Sequence, residues 1–148
     1  MVTQQSIITI YYCFSPITDS YPSFNHYIAL LFSVQPSTPI FQPIPDNFIQ
    51  ATKDVPLNLT CFSSGGYPRQ TVTWYKYWSG QNPVNLTQCT TNETINQGMY
   101  DVTERCTFTP TQTDDNAMLY CESSYTGTPP YLVKSKDVQL KLLCKLLR

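Results

Sequence analysis

Apolar and polar residues alternate with a period of two through several short runs of the chain. The first clear run is 57–61, in which Leu57, Leu59 and Cys61 share one face and the polar residues between them share the other. This alternation is the pattern of a half-buried β-strand, because successive side chains of a strand point to opposite faces. The same pattern recurs in four later runs, 71–77, 101–109, 119–122 and 137–143.

Turn-forming residues separate the predicted strands. Glycine, proline and acidic or amide residues cluster at four such places, 63–68, 79–83, 114–116 and 127–130. No segment has a helical period and the sequence has no internal repeat, so a single antiparallel β-sandwich is the expected architecture. The polar run 90–98 interrupts the alternation, and we expect it to bow outward as a loop.

The inward positions of these strands predict the hydrophobic core. Its principal members are expected to be Leu59, Val72, Trp74, Phe108 and Leu119. One inward position does not fit, because Glu104 places a carboxylate on the apolar face of its strand.

The composition supports a folded domain and argues against several functional classes. Hydrophobic residues make up 41% of the chain and aromatic residues 14%, enough for a core, while charged residues make up only 13%. The formal net charge is −1, so the chain lacks the basic surface expected of a protein that binds nucleic acid or an anionic membrane. The longest apolar run, 28–32, is far shorter than a membrane-spanning helix, and no direct membrane insertion is expected.

Six cysteines and three asparagine glycosylation sequons indicate an extracellular protein. The cysteine count is high for a chain of 148 residues, as is typical of secreted domains stabilised by disulfides. The sequons begin at Asn58, Asn85 and Asn92, which are the candidate glycosylation sites. Asn58 alternates with the inward residues of its strand and is therefore expected to face solvent.

No catalytic or metal-binding motif is evident in the sequence. The single histidine, His26, lies in an N-terminal region without a strand pattern, and the chain contains no Cys-x-x-Cys pair. Gly65 and Gly66 are not followed by a phosphate-binding motif, and the acidic pair at 114–115 is better explained as a turn cap. We therefore expect no enzyme activity, no cofactor and no metal ion.

Two segments resemble C2-type immunoglobulin-like domains. Residues 59–68, with the sequence LTCFSSGGYP, and the TVTWY of 71–75 are similar to the B–C region of such domains in nectin, nephrin/Kirre-like and B7 cell-surface proteins. Residues 102–121, with the sequence VTERCTFTPTQTDDNAMLYC, are similar to the E–F region. The resemblance covers about residues 39–143 and implies an immunoglobulin-like antiparallel β-sandwich.

The resemblance also implies roles for particular residues. Cys61 on strand B and Cys121 on strand F would form the disulfide between the two sheets, with Trp74 packed against it. Asp115 occupies the position of the aspartate that caps the E–F corner in the family, and Ala117 occupies the small-residue position that follows it.

The other four cysteines leave alternatives open. Cys106 falls where similar domains usually have a buried leucine, so it is either a small core residue or the disulfide partner of Cys89. Cys13 and Cys144 lie in the flanks, where they either pair, remain free or reflect incorrect chain boundaries.

The expected domain occupies residues 38–143. Residues 1–37 are unassigned, and a degenerate leader, a linker and an unfolded segment are the three interpretations of this region. Residues 144–148 form a tail.

The candidate binding surface is the sheet face that strands C, C′, F and G would expose. The candidate protein-binding residues are five aromatic side chains near this face: Tyr75, Tyr77, Trp78, Tyr125 and Tyr131. Aromatic side chains are enriched in protein interfaces, although these rings could equally cover a sheet edge or pack on nearby prolines. Glycans at Asn85 or Asn92 would border this face.

Three hypotheses about function follow. The first is an adhesion or recognition module that binds extracellular protein domains, including other immunoglobulin-superfamily members, in a homophilic or heterophilic way. The second is a structural spacer in a receptor with several such domains, and the third is a secreted single-domain binder. Each hypothesis places the chain outside the cell or at the cell surface, anchored to a membrane only as part of a longer protein.

Overall fold

The computed structural model describes residues 33–42 and 47–143. The expectations about Cys13, His26 and Cys144 lie outside the described residues. Regular structure in the described part consists of ten strands and one short 3₁₀ turn, Gln112–Asp114. The strands are β1 (Ile40–Gln42), β2 (Phe48–Thr52), β3 (Leu57–Gly66), β4 (Thr71–Tyr77), β5 (Val84–Asn85), β6 (Cys89–Asn96), β7 (Met99–Phe108), β8 (Met118–Tyr125), β9 (Tyr131–Lys134) and β10 (Val138–Leu143).

The strands of the described part form two sheets. The strand order is β1–β3–β7–β6 in the first sheet and β2–β10–β8–β4–β5 in the second, with β9 paired to β8. Strands β2 and β10 run parallel, and the other described pairs are antiparallel. Strands β3, β4, β7 and β8 take the places of strands B, C, E and F. The predicted immunoglobulin-like β-sandwich is confirmed.

The core lies between the two sheets, around Trp74. This side chain is fully buried, and the Phe41 ring meets it edge-on at a centroid distance of 5.2 Å. Opposite Trp74 in β8 is Cys121, which forms the predicted inter-sheet disulfide with Cys61, their Cα atoms 6.4 Å apart. Of the other residues expected in the core, Leu59, Val72 and Leu119 are buried, and Phe108 is partly buried against the same cluster.

The polar run 90–98 is a strand and a turn, so the expectation of a loop was wrong. Strand β6 pairs with β7 along its whole length, from Cys89 opposite Cys106 to Asn96 opposite Met99. After Cys89, every residue of β6 is exposed at the edge of the first sheet. An alternating pattern arises only where one face of a strand is buried, and β6 has no such face. Its three threonines favour the extended backbone.

The same strand pairing explains the second disulfide. Cys89 and Cys106 are direct neighbours across β6 and β7, and a disulfide joins them with their Cα atoms 4.0 Å apart. Of the two alternatives for Cys106, the structure therefore shows the disulfide with Cys89 and not a free core cysteine. The inward carboxylate of Glu104 lies beside it and accepts a hydrogen bond from the Thr91 hydroxyl. Because the disulfide removes both thiolates, this cluster cannot bind a metal through sulfur.

Asp114 caps the E–F corner, and the assignment of this role to Asp115 was wrong. One carboxylate oxygen of Asp114 accepts hydrogen bonds from the backbone N–H of Thr111, at 2.7 Å, and from its hydroxyl, at 2.9 Å. The other oxygen lies 2.7 Å from Nζ of Lys76. Asp115 is exposed and accepts a hydrogen bond from the backbone N–H of Leu142 at 3.0 Å. The 3₁₀ turn decides between the two, because it directs the side chain of its third residue back toward Thr111.

The environment of the corner keeps the Asp114 carboxylate ionised. Burial alone would raise the pKa of Asp114, but the hydrogen bonds from Lys76 and Thr111 outweigh it and hold the pKa below its ordinary value of 3.8. Ala117 follows the corner and is fully buried, as a small-residue position requires. Its carbonyl oxygen accepts a hydrogen bond from the backbone N–H of Leu140 at 2.7 Å.

The packed domain begins before the expected boundary at residue 38. Val34 and Tyr67 exchange backbone hydrogen bonds of 2.6 and 2.9 Å, which form an isolated bridge just beyond the end of β3. The Ser37 N–H donates a hydrogen bond of 2.9 Å to the carbonyl oxygen of Ser64. Residues 33–37 therefore belong to the sandwich. An isolated bridge is too short to produce an alternating pattern, and the sequence does not reveal it.

Candidate interaction face

Three tyrosine rings meet on the outer face of the second sheet. In β8 the side chains of Leu119 and Cys121 point into the core, so Tyr120 between them points outward. Tyr120 lies opposite Tyr75 of β4, and their rings stack with centroids 5.1 Å apart and planes 19° apart. The Tyr77 ring meets the Tyr120 ring edge-on at 5.9 Å and 67°. Tyr75, Tyr77 and Tyr120 form what we call the tyrosine cluster.

Charged groups of both signs border the tyrosine cluster. The Lys134 ammonium lies 3.8 Å from the centroid of the Tyr120 ring, within the range of a cation–π contact. Lys134 is itself the register partner of Glu122. Near the other end of the cluster, the Tyr77 hydroxyl donates a hydrogen bond of 3.0 Å to Oδ2 of Asp137. The face is therefore aromatic at its centre and charged at its rim, as many protein interfaces are.

Two of the tyrosine hydroxyls are held in the neutral form. Burial is the main cause that raises the pKa of Tyr120, and the negative charge of Glu122 adds to it. Burial also raises the pKa of Tyr77, together with the hydrogen bond to Asp137. Both hydroxyls therefore remain protonated at neutral pH and can donate and accept hydrogen bonds.

The three rings differ in how much surface they offer to a partner. Tyr120 is only 5% exposed, because the other two rings and Lys134 lie against it. Tyr75 and Tyr77 are partly buried and present the remainder of their rings to solvent. Tyr120 therefore lies beneath the rings of Tyr75 and Tyr77, which pack against it.

Trp78 faces the E–F corner and not the tyrosine cluster. Its indole N–H donates a hydrogen bond of 3.0 Å to the carbonyl oxygen of Thr113. The Lys76 ammonium, which pairs with Asp114, lies 5.1 Å from the centre of the Trp78 ring. Trp78 therefore covers a buried ion pair at the end of the sandwich, and it is not part of the sheet face on which it was expected.

Tyr125 and Tyr131 are register partners near the tip of the β8–β9 hairpin. Tyr125 alternates with Cys121 and Ser123, so this pair lies on the core side of the sheet. The Tyr131 hydroxyl donates a hydrogen bond of 2.8 Å to the carbonyl oxygen of Pro68, and burial raises the pKa of Tyr131 to about 12. Tyr131 is buried and fixes the hairpin to the turn after β3. These two residues do not share a face with the tyrosine cluster.

The three sequon asparagines are all exposed, but they lie on different surfaces. Asn85 is the register partner of Tyr75 in the edge strand β5, and therefore borders the tyrosine cluster. Asn58 in β3 and Asn92 in β6 belong to the first sheet. The expectation that Asn92 borders the candidate face was wrong, because β6 pairs with β7 and not with the strands of the second sheet.

Sequence reasoning missed three residues of this site, Tyr120, Lys134 and Asp137. Tyr120 could have been found from the alternation in its own strand, since Leu119 and Cys121 point inward. Lys134 and Asp137 could not, because their positions depend on the register of the β8–β9 hairpin and on the break between β9 and β10.

Two sheets linked by a disulfide beside a buried tryptophan define an immunoglobulin-type β-sandwich. More narrowly, the chain belongs to the CD80-like C2-set immunoglobulin domain family, whose sequence profile matches residues 43–129. The resemblance seen in the sequence is thereby confirmed. A comparison with curated proteins gave no match.

Two solved structures share this fold. The crystal structure of Rst D1-D2 aligns with a TM-score of 0.60 and 18% identity, over 75% of this chain and 51% of that one. The full ectodomain (Ig1-Ig3) of mouse nectin-like molecule 4 aligns with a TM-score of 0.53 and 16% identity, over 72% of this chain and 34% of that one. This chain therefore spans about half of the first structure and about a third of the second.

Domains of this family are typically non-enzymatic, and many mediate contacts between proteins. Among the described residues, no helix has both the length and the hydrophobicity needed to cross a lipid bilayer. The tyrosine cluster is the place on the second sheet where partly exposed aromatic rings, charged side chains and a sequon meet.

Proposed function

We propose that this chain is an extracellular recognition module that binds another protein domain through the tyrosine cluster. The observation that carries the proposal is the pair of partly exposed rings, Tyr75 and Tyr77, that rest on Tyr120. Tyrosine is enriched in protein interfaces because it gives a large contact area at a low cost in rotamer entropy. A sheet face suits a protein domain better than a small molecule, whose sites are usually concave.

An extracellular location is supported by two features of the described residues. The two disulfides, Cys61–Cys121 and Cys89–Cys106, are the kind of bond that persists in oxidising compartments. The three sequon asparagines are all exposed, as glycan attachment requires.

The outer rings of the tyrosine cluster are ordered before a partner arrives. Tyr75 is stacked on Tyr120, and Tyr77 is held both by that ring and by its hydrogen bond to Asp137. Immobilising a flexible side chain on binding costs about 0.5–1.5 kcal/mol, and a residue that is already held avoids part of this cost.

The rim of the cluster points to the chemistry of the partner. Lys134, Glu122 and Asp137 present both signs of charge close to the aromatic rings. A partner with a surface of mixed charge and some apolar area matches this rim. We propose a second immunoglobulin-superfamily domain, identical or different, as that partner. A glycan at Asn85 would stand beside Tyr75 and limit the approach from the β5 edge.

The test is a binding assay of the secreted domain against a panel of cell-surface ectodomains that includes the domain itself. Tyr75→Ala and Tyr77→Ala should each weaken binding roughly thirtyfold, since truncating a central interface residue usually costs 2 kcal/mol or more. Trp78→Ala and Tyr125→Ala are the matched controls, because they remove aromatic rings that lie outside the tyrosine cluster. Circular dichroism and thermal unfolding confirm that each variant is folded.

The controls make the result decisive. Binding that is lost in the two cluster variants and kept in the two controls supports the proposed face. Binding that survives Tyr75→Ala and Tyr77→Ala, or that is lost equally in the controls, contradicts it.

A structural spacer is the second candidate function. It is favoured by the two similar structures, Rst D1-D2 and an Ig1-Ig3 ectodomain, of which this chain spans 51% and 34%. In a spacer the tyrosine cluster would serve only to stiffen the sheet, and the burial of Tyr120 agrees with that role. This hypothesis becomes the better one if the folded wild-type domain binds no member of the panel.

A further inference from the structure

The outer face of the first sheet carries a shallow depression with exposed apolar side chains. Its volume is about 320 Å³, and three neighbouring strands supply its lining of Ile40, Gln42, Thr60, Phe62, Thr103 and Arg105. Ile40 is 58% exposed and Phe62 is 41% exposed. These two side chains are register partners and therefore adjacent. Together they form a small apolar patch on an otherwise polar face, to which the apolar part of a ligand can bind.

A sequon asparagine lies in the same row of this sheet. Ile40 is opposite Phe62, Phe62 is opposite Thr103, and Thr103 is opposite Asn92. Paired residues of neighbouring strands project from the same face, so Asn92 projects from the face that carries the depression. Neighbouring strands are about 4.8 Å apart, which places the backbones of Asn92 and Phe62 about 10 Å apart.

The chemistry of the depression matches the first sugar of an N-linked glycan. That sugar, N-acetylglucosamine, has an apolar C–H face that stacks on aromatic rings, and an acetamide and hydroxyls that form hydrogen bonds. Phe62 and Ile40 offer the apolar surface, while Gln42, Thr103 and Arg105 offer polar groups around it. Apolar surface with a few polar groups at its border is the usual composition of a small-ligand site. Thr103 is the one residue between Asn92 and Phe62 in this row, so the sugar on Asn92 would pass over Thr103 to contact Phe62.

The other two sequons are less well placed for this contact. Asn58 projects from the same face, but it lies further along the strand of Phe62, roughly 13 Å away. Asn85 belongs to the second sheet. Asn92 differs from both because its direct cross-strand neighbour, Thr103, lines the depression.

We propose that this depression binds the first N-acetylglucosamine of the chain's own glycan at Asn92. The bound sugar covers Phe62 and Ile40, and the glycan then shields the exposed edge of β6 from pairing with strands of other molecules. The inference rests on the proposed extracellular function, because N-glycans are added in the secretory pathway.

The test uses the full chain fused to a working secretion signal and produced in mammalian cells with a mannosidase inhibitor. Endoglycosidase H then leaves one N-acetylglucosamine on each occupied asparagine, and mass spectrometry identifies the occupied sites. Thermal unfolding is measured in a double-mutant cycle that combines loss of the Asn92 sugar with Phe62→Ser. The sugar is removed in two independent ways, by Asn92→Gln and by Thr94→Val, so that effects of either substitution itself can be recognised.

Loss of the Asn92 sugar should lower the Tm by about 4 °C when Phe62 is present and by much less in the Phe62→Ser background. The matched control is Asn85→Gln, which removes a sugar from the other sheet and should shift the Tm equally in both backgrounds. In proton NMR spectra, the Phe62 ring should displace the acetyl methyl resonance of the Asn92 sugar upfield. In Phe62→Ser this resonance should lie at the ordinary position of an N-acetyl methyl group.

Two outcomes would overturn the proposal while leaving the extracellular function intact. One is an equal change in Tm on removal of the Asn92 sugar in both backgrounds, together with an unshifted acetyl methyl resonance. The occupant of the depression would then be a protein partner or a second copy of this chain. The other is an unoccupied Asn92 beside an occupied Asn58 or Asn85. If none of the three asparagines carries a sugar, the proposed extracellular function fails together with this inference.

Discussion

At the scale of single residues, the ion pair at the E–F corner has the largest predicted effect. Among the ion pairs of the described residues, only Lys76–Asp114 is mostly buried. The Lys76 ammonium also lies 4.7 Å from the centre of the Phe108 ring and 5.1 Å from that of Trp78. Aromatic faces and one carboxylate therefore replace most of its water, and removing the carboxylate would leave a poorly compensated charge.

Asp114→Asn should lower the free energy of unfolding at pH 7 by about 3 kcal/mol, because breaking a buried ion pair leaves its partner charged and unpaired. The measurement is urea denaturation, and Asp115→Asn is the matched control. Asp115 is exposed and only accepts hydrogen bonds from the Leu142 backbone N–H and the Asn116 side-chain amide, so this variant should lose about 1 kcal/mol of unfolding free energy. If Asp115→Asn lowered the free energy of unfolding more than Asp114→Asn does, Asp115 and not Asp114 would be the residue that caps the corner.

The same comparison has a pH dependence whose direction follows from the pKa of Asp114. This pKa is lowered in the folded state, so folding favours the ionised form. The stabilisation is fully present above the ordinary pKa and is lost as the pH falls through the lower, folded-state pKa. The difference in unfolding free energy between wild type and Asp114→Asn should therefore shrink below about pH 4.

At the scale of elements, β6 depends on its neighbour rather than on the core. Its residues after Cys89 are exposed, so little apolar burial holds it in place. What holds it is the ladder of hydrogen bonds to β7 and the Cys89–Cys106 disulfide. A strand held in this way is expected to open locally before the sandwich unfolds.

Replacing both Cys89 and Cys106 with alanine should cost about 3 kcal/mol in the chain-entropy estimate for a loop of this length, with the fold retained. Amide hydrogen exchange should accelerate in β6, whereas protection in β3 and β8 should persist. Uniform acceleration across all strands would show that the bridge stabilises the whole sandwich and not its edge.

At the scale of the whole molecule, the Cys61–Cys121 disulfide ties the two sheets together across a sequence separation of 60. The bond lies in the fully buried part of the core, beside Trp74 and Leu59. This separation is longer than the 17 residues between Cys89 and Cys106, so in the chain-entropy estimate this bridge restricts the unfolded chain more, by about 1 kcal/mol.

Replacing Cys61 and Cys121 with alanine should therefore lower the free energy of unfolding by about 4 kcal/mol. Typical domains have an unfolding free energy of about 5–15 kcal/mol, so this loss is close to the lower limit of that range. Protection from exchange should fall in every strand at once, in contrast to the edge-strand variant. Peptide mapping without reduction checks the connectivity in the wild type, and a peptide that links Cys61 to Cys89 would contradict the sandwich described above.

Much of the fold follows from local features of the sequence. The alternation around Leu59 and Val72 predicts strands because each has one face in the core and one in solvent. Cys61, Trp74 and Cys121 identify the type of sandwich, since a resemblance at these positions reflects a shared core. These features could be predicted because each depends on residues within a single strand and not on how distant strands pair.

The tertiary structure alone decided what depends on contacts between distant segments. Strand β6 has no pattern because neither of its faces is buried, so only its pairing with β7 reveals it. Lys134 reaches Tyr120 through the hairpin register, and Asn92 shares a row with Phe62 only through two strand pairings. Register and strand order are set by long-range packing and turn geometry, and a sequence pattern with a period of two contains neither.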